Sequence, residues 1–255
     1  MNYYVTGDIH GNFENYSFAT RNCSPGDAII LLGDSGFNFY LNIKDMILKN
    51  RVNESGFITY CVRGNHDARP ENLDSMKKVY KEDIQNYVYM EDEFPNIFYL
   101  IDGLVYNFNG YTALVLGGAY SIDKAYRIAN HWTWYEDEQL SPEEMIQIEK
   151  DCSGKDFDFV LSHTCPLSWQ PQDLFLSSVK QLEVDNRMET WMDNFKDKIN
   201  WKYWLFGHYH DDRVIRPHVK LFYYNCESLE KIVKTWNKYD KTGHIFDKKD
   251  PKFFD

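Results

Sequence analysis

Ala28-Ile29-Ile30-Leu31-Leu32-Gly33-Asp34 is the stretch on which the fold turns. Five uninterrupted apolar residues suit a strand covered on both faces, because a strand with one wet face alternates apolar and polar side chains. Gly33 then permits a sharp turn, and Asp34 stands where the strand ends. In open α/β sheets, ligands gather beyond the carboxyl ends of the strands, so a carboxylate there is placed for binding.

The same phrase recurs outward in both directions. Residues 2–6 run into Gly7-Asp8-Ile9-His10-Gly11, and residues 57–62 into Gly64-Asn65-His66-Asp67. Residues 157–161 precede His163, and residues 203–206 precede Gly207-His208-Tyr209-His210. Helix-like stretches lie at about 13–22, 41–50, 71–86, 142–151 and 182–198; Ser141-Pro142-Glu143-Glu144 is a capping-box start for the fourth. The middle differs: residues 97–101, 104–108 and 111–116 are short apolar runs divided by Asp102-Gly103 and Asn109-Gly110, which predicts an antiparallel meander. Residues 213–216 and 219–225 predict a last hairpin through Pro217-His218. This order predicts an α/β fold, a mixed-sheet β-sandwich flanked by helices. One domain is expected over 1–230, followed by a charged tail over 231–255 that is ordered only in part.

With 255 residues and 43% hydrophobic composition, the chain can bury a large core. A formal charge of −11 argues against extended binding to duplex nucleic acid, which needs cationic side chains on the phosphates. A phosphate substrate remains compatible, because bound divalent cations reverse the local potential. The five cysteines form no CxxC pair, so neither a zinc framework nor a disulfide pattern is expected. No apolar run approaches the roughly 20 residues needed to span a bilayer, and with Met1 leading almost directly into the first strand no leader is expected. A soluble, cytoplasmic protein with no membrane association is expected.

Asp, Asn and His supply the oxygen and nitrogen donors that borderline transition metals accept. Asp8 and His10 are two apart, so in extended backbone they point the same way, and so do His208 and His210. Asp34 can bridge two cations, which in two-metal sites lie roughly 3.5–4 Å apart. The allocation that follows puts Asp8, His10, Asp34 and His210 on the first metal, and Asp34, Asn65, His163 and His208 on the second. A water between the ions, acidified to hydroxide, would attack phosphorus in line. His66 would protonate the leaving alkoxide or hold the phosphoryl oxygens.

The clusters, in this order from Asp8 to His210, resemble those of the metallophosphoesterase family, also called calcineurin-like phosphoesterases. The resemblance implies the metallophosphoesterase fold with αββα layers, and a dinuclear site usually filled by manganese, iron or zinc. It implies that Asp34 bridges, that Asn65 and His163 are ligands, and that His66 is the general acid. Manganese leads the expectation, with Fe, Zn, Co and Ni accepted by the same donors. Two departures bear on substrate. The protein phosphatase branch reads Gly-Asp-x-x-Asp-Arg-Gly, whereas this chain has Phe37 and Asn38 in place of the Asp and the Arg. Gly207-His208-Tyr209-His210 has the Gly-His-x-His form typical of diesterase-like branches. Asp67 is left to orient His66.

The expected substrate is a phosphodiester, a nucleotide or a nucleic-acid end. A phosphomonoesterase acting on phosphoproteins or small phosphometabolites is the alternative, and a non-catalytic metal-binding scaffold is the reading from another class. Arg69 and Arg127 are the candidate substrate residues. Gly117 to Asp123 reads as a phosphate pocket or as a tight turn. The stretch His131, Trp132, Trp134 and Tyr135 reads as core or hinge before base stacking, and Cys165 and His218 as structural. Residues 136–149 read as a solvated helix face.

Overall fold

The computed structural model describes residues 1–242, and two mixed sheets form its centre. The first runs, in spatial order, β13 (Glu227–Ser228), β1 (Tyr3–Thr6), β2 (Ala28–Leu31), β3 (Ile58–Cys61), β6 (Ile97–Leu100), β5 (Asn86–Met90) and β4 (Lys77–Lys81). The second runs β11 (Arg213–Arg216), β12 (Val219–Leu221), β10 (Asn200–Phe206), β9 (Asp156–Ser162), β8 (Tyr111–Leu116) and β7 (Val105–Phe108). Each has parallel strands at its centre and antiparallel edges: β1, β2, β3 and β6 in one, β8, β9, β10 and β12 in the other.

Alternation along buried strands sorts the core into three layers. Val5, Ile30, Tyr60, Phe159 and Leu205 meet between the sheets. Ile29, Leu31 and Cys61 face outward, under Tyr16 of α1 (Phe13–Thr20) and Leu48 and Val52 of α2 (Ile43–Asn53). Val160, Trp204 and Phe206 face the opposite way. They meet Met145 and Ile148 of α4 (Pro142–Cys152), and Met188, Met192 and Phe195 of α5 (Arg187–Phe195). A short α3 (Lys124–Ala129) lies between β8 and α4. The result is the αββα order expected, and the capping box at Ser141 and Glu144 is formed. Each fully buried aliphatic side chain contributes roughly 1.5–3 kcal/mol, which is why the apolar runs dominate the architecture.

Three expectations change. Residues 71–86 are not a helix but hold β4 and the turn into β5: Lys77-Lys78-Val79-Tyr80-Lys81 alternates, and Val79 lies opposite Val88. The meander is divided: Asp102-Gly103 carries the chain from the first sheet into the second, so only β7 and β8 form a hairpin, with Asn109 and Gly110 at positive φ. The domain boundary at 230 falls inside α6 (Leu229–Thr242), whose Leu229, Ile232 and Trp236 are buried in the inter-sheet core. Residues 243–255 of the expected tail lie outside the described residues. All five cysteines are free, and among the described residues no helix is long and apolar enough to cross a membrane.

Candidate dinuclear metal centre

The clusters follow β1, β2, β3, β9 and β10, and the sandwich brings those strand ends together. Close approach is built into the glycines. A Cβ on Gly33 would lie 2.1 Å from His163 Nδ1, and one on Gly64 would lie 2.0 Å from Asp34 Oδ1. Each of these glycines therefore makes room for a ligand from another strand. The ligands themselves do not sit in extended backbone, as their two-residue spacing suggested. His10, Asp34, His208 and His210 have φ of 48°, 45°, 71° and 51°. Convergence is achieved by left-handed turns at the strand ends.

Asp8 Oδ1 accepts from the His208 amide (3.1 Å), while the buried Oδ2 has no hydrogen bond. That oxygen lies 3.4 Å from His210 Nε2 and 3.7 Å from His10 Nε2, and those two nitrogens are 2.7 Å apart. Asp34 Oδ1 accepts from the His66 amide (2.9 Å) and lies 3.6 Å from His163 Nε2; Oδ2 lies 3.8 Å from His10 Nδ1. His163 Nδ1 must donate to the Leu32 carbonyl (2.7 Å), so the lone pair of a neutral ring sits on Nε2. It faces Asn65 Oδ1 at 2.8 Å, and the Asn65 amide nitrogen donates to Ser121 Oγ at 2.9 Å. At His163–Asn65 an acceptor confronts an acceptor, and beside it the buried Asp8 Oδ2 lies unpartnered next to two imidazole nitrogens. A divalent cation at each place would take up these donor atoms, so the residues present fit the dinuclear group.

The tightest groupings are Asp8, His10 and His210, and Asp8, Asp34 and His163. Asp8 belongs to both, and Asp34 belongs to the second while its Oδ2 lies 3.8 Å from His10 of the first. Asn65 joins the second group through His163. His208 packs its ring 5.0 Å from that of His163 and falls in neither group. Burial and then His163 push the His208 imidazole down to about 3, so it is neutral near pH 7. Burial opposes ionisation of Asp34, but His66, His163 and His10 outweigh it and hold the carboxyl well below the carboxylate range. The Asp8 contact raises His210, against burial.

His66 stands beside the ligands, with Nε2 3.8 Å from Asp34 Oδ2 and its ring edge-on to Phe39. Burial lowers its pKa. Asp67 does not orient it. The buried Asp67 carboxylate accepts from Ser35 N, Ser35 Oγ, Gly36 N and Gly64 N, and so ties the second cluster to the third. Phe37 is buried among Ile9 and Tyr16.

His66 borders two cavities. The smaller, about 210 Å³, is lined by His10, Asp34 and Arg127; the larger, about 500 Å³, by Asn65, His208 and His210, and by Tyr120, Ser121, Ile122 and Asp123 of the Gly117–Asp123 stretch. Arg127 is held by Asp123 (2.7 Å). Arg69 is not at the site, contrary to its expected substrate role. Its buried guanidinium is consumed by Glu144 (2.6 Å) and by the Asp137 and Gln139 carbonyls (each 2.9 Å), and clamps α4 to the preceding loop. His131, Trp132, Trp134 and Tyr135 line neither cavity. Glu138, expected on a solvated face, is buried and accepts from the Ser121 amide (3.1 Å), so it supports the residue that orients Asn65. Sequence reasoning also missed Glu189 and the 170–186 segment of the larger cavity wall, for which no motif gives a signal.

A search among curated proteins finds no match. Among solved structures, phosphopantetheinyl hydrolase from Mycobacterium tuberculosis aligns at 16% identity over 87% of this chain and 88% of that one, with a TM-score of 0.49. The family model for calcineurin-like phosphoesterases matches residues 1–212, which span every cluster described above, and the chain belongs to that family.

Proposed function

We propose that this metal-dependent phosphoesterase cleaves phosphodiester or nucleotide substrates in the cytoplasm at a centre holding two divalent cations, manganese foremost. When bound, such ions acidify a water as nucleophile and neutralise charge on the phosphoryl group. Asp8, His10, Asp34 and His210 would hold one ion, and Asp34, Asn65, His163 and His208 the other, with Asp8 near enough to serve both. Ser121 fixes the Asn65 amide so that its oxygen faces His163. His66, beside both cavities and outside the ligand groups, gives a proton to the leaving oxygen or holds the phosphoryl oxygens. The observation that carries this reading is the confrontation of acceptors at His163–Asn65, beside the buried and unpartnered Asp8 Oδ2.

Monoester hydrolysis has one observation in its favour. Arg127 borders the smaller cavity beside His66 and could take the extra charge of a monoester. Turnover of bis-p-nitrophenyl phosphate and of p-nitrophenyl phosphate by stripped protein, with Mn²⁺ returned, separates the two. Metal-dependent turnover of the diester, lost in His66→Ala at unchanged metal content, supports the proposal. Preference for the monoester overturns the substrate class, and two bound metals without turnover of either overturns catalysis in favour of a scaffold.

A further inference from the structure

The larger cavity is roomier and less polar than a phosphoryl group requires. Its near wall carries the metal-ligand candidates, while Ile122, Leu174, Phe175, Leu176 and Val184 form much of the rest. A phosphoryl group on the ions leaves this second region to whatever that group is esterified with. At about 500 Å³ the space is of ligand size.

Its charge is unusual for a phosphate-ester pocket. No lysine or arginine lines it among the described residues. Two carboxylates outside the ligand set do. Asp123 is neutralised by Arg127 at 2.7 Å. Glu189 is not: it is 3% exposed, its Oε1 accepts from the Thr164 hydroxyl at 2.9 Å, and its Oε2 has no hydrogen-bond partner. No salt bridge reaches it among the described residues. A second phosphate or a carboxylate on the substrate, held away from the ions by the first phosphoryl group, would meet this unpaired carboxylate with no lysine or arginine on that wall to offset it. In a poorly solvated site like charges repel strongly.

We infer that the substrate is an ester whose reacting phosphoryl group is its only anion, carried on a largely apolar body, and that Glu189 is the residue that rejects a second anion. Within the proposed substrates this admits esters of a single phosphate, nucleoside esters included, and excludes nucleoside polyphosphates. The inference rests on the phosphoesterase reading only for the place of the phosphoryl group.

The test is calorimetric binding near pH 8 to Mn²⁺-loaded protein of phenylphosphonate, para-carboxyphenylphosphonate and para-(aminomethyl)phenylphosphonate, which share the phosphonate and the ring and differ in the para group and its charge. Like-charge repulsion predicts that the carboxy compound binds about tenfold or more weakly than the phenyl compound, and the aminomethyl compound at least as tightly. Glu189→Gln should bring the phenyl-to-carboxy ratio close to one. Leu176→Lys, at an exposed position on the cavity wall, should do the same by supplying the missing cation. Equal binding of the phenyl and carboxy compounds, a ratio unmoved by Glu189→Gln and by Leu176→Lys, or no binding of any of the three overturns the inference. The corresponding p-nitrophenyl diesters are assayed alongside. Charge-selective binding without hydrolysis sinks the catalytic reading and leaves the rejection of a second anion by Glu189 standing.

Discussion

Replacing Glu189 by glutamine tests how a carboxylate survives in this interior. Burial raises the Glu189 carboxyl from its ordinary 4.5 to about 7, with the Thr164 hydrogen bond opposing too weakly to prevent it. A folded pKa above the unfolded one means that the folded chain binds the proton more tightly. The associated stability is full below about pH 4.5 and is lost as pH rises through about 7. At roughly 1.4 kcal/mol per unit, the whole interval is worth about 3.5 kcal/mol. Glutamine keeps the shape and an acceptor for Thr164 but cannot ionise, so it avoids the loss. Urea unfolding of both proteins, metal-free, near pH 5 and near pH 8 measures the effect. Relative to wild type, Glu189→Gln should gain about 2.5 kcal/mol between the two conditions, since pH 5 already lies above the unfolded pKa. A difference that is flat with pH, or that falls, refutes the argument. Bound Mn²⁺ should shrink the gain, since nearby cations favour the carboxylate.

Asp67→Asn leaves two of four converging donors facing an amide NH₂; at ~1–3 kcal/mol for each orphaned donor, urea unfolding should show a loss of about 3 kcal/mol, and Mn²⁺ titration a weaker affinity. An unchanged variant would mean that the second and third clusters are not joined there. Arg69→Met breaks a buried pair and should destabilise by about 3 kcal/mol while leaving KM for bis-p-nitrophenyl phosphate within twofold; a large rise in KM with intact stability would return Arg69 to the substrate. Trp236→Ala removes a buried ring of α6 and should cost ~3–5 kcal/mol in the same unfolding assay. A loss under about 1 kcal/mol would show the helix to be an ornament of the fold rather than part of its core.

The sequence announces what burial dictates and hides what backbone geometry and distance decide. Residues 28–32 read as a doubly covered strand because α2 and the second sheet leave neither face wet. Asp8, Asp34, Asn65 and His163 stood out as candidate ligands because few side chains suit a transition metal, and the fold brings them together. Their convergence was read from the wrong cause, since the spacing of His208 and His210 carries no trace of left-handed φ. The β4–β5 hairpin was obscured by Lys77, Lys78 and Lys81, whose charges mask the alternation around Val79. Glu189 offers no local cue, because only the distant Thr164 and the cavity give it meaning. Ile232 and Trp236 were lost among the charges of a segment that looked like a tail.

The left-handed backbone at His10, Asp34, His208 and His210 also sets a price on the centre. A side chain there costs on the order of 1 kcal/mol that glycine would not incur. Screening variants by melting temperature alone, without metal in the buffer, would therefore enrich glycine at these four positions. Such a campaign would return a sturdier sandwich stripped of the donors proposed to hold the ions, so any thermostabilisation of this protein has to be selected with the ions present.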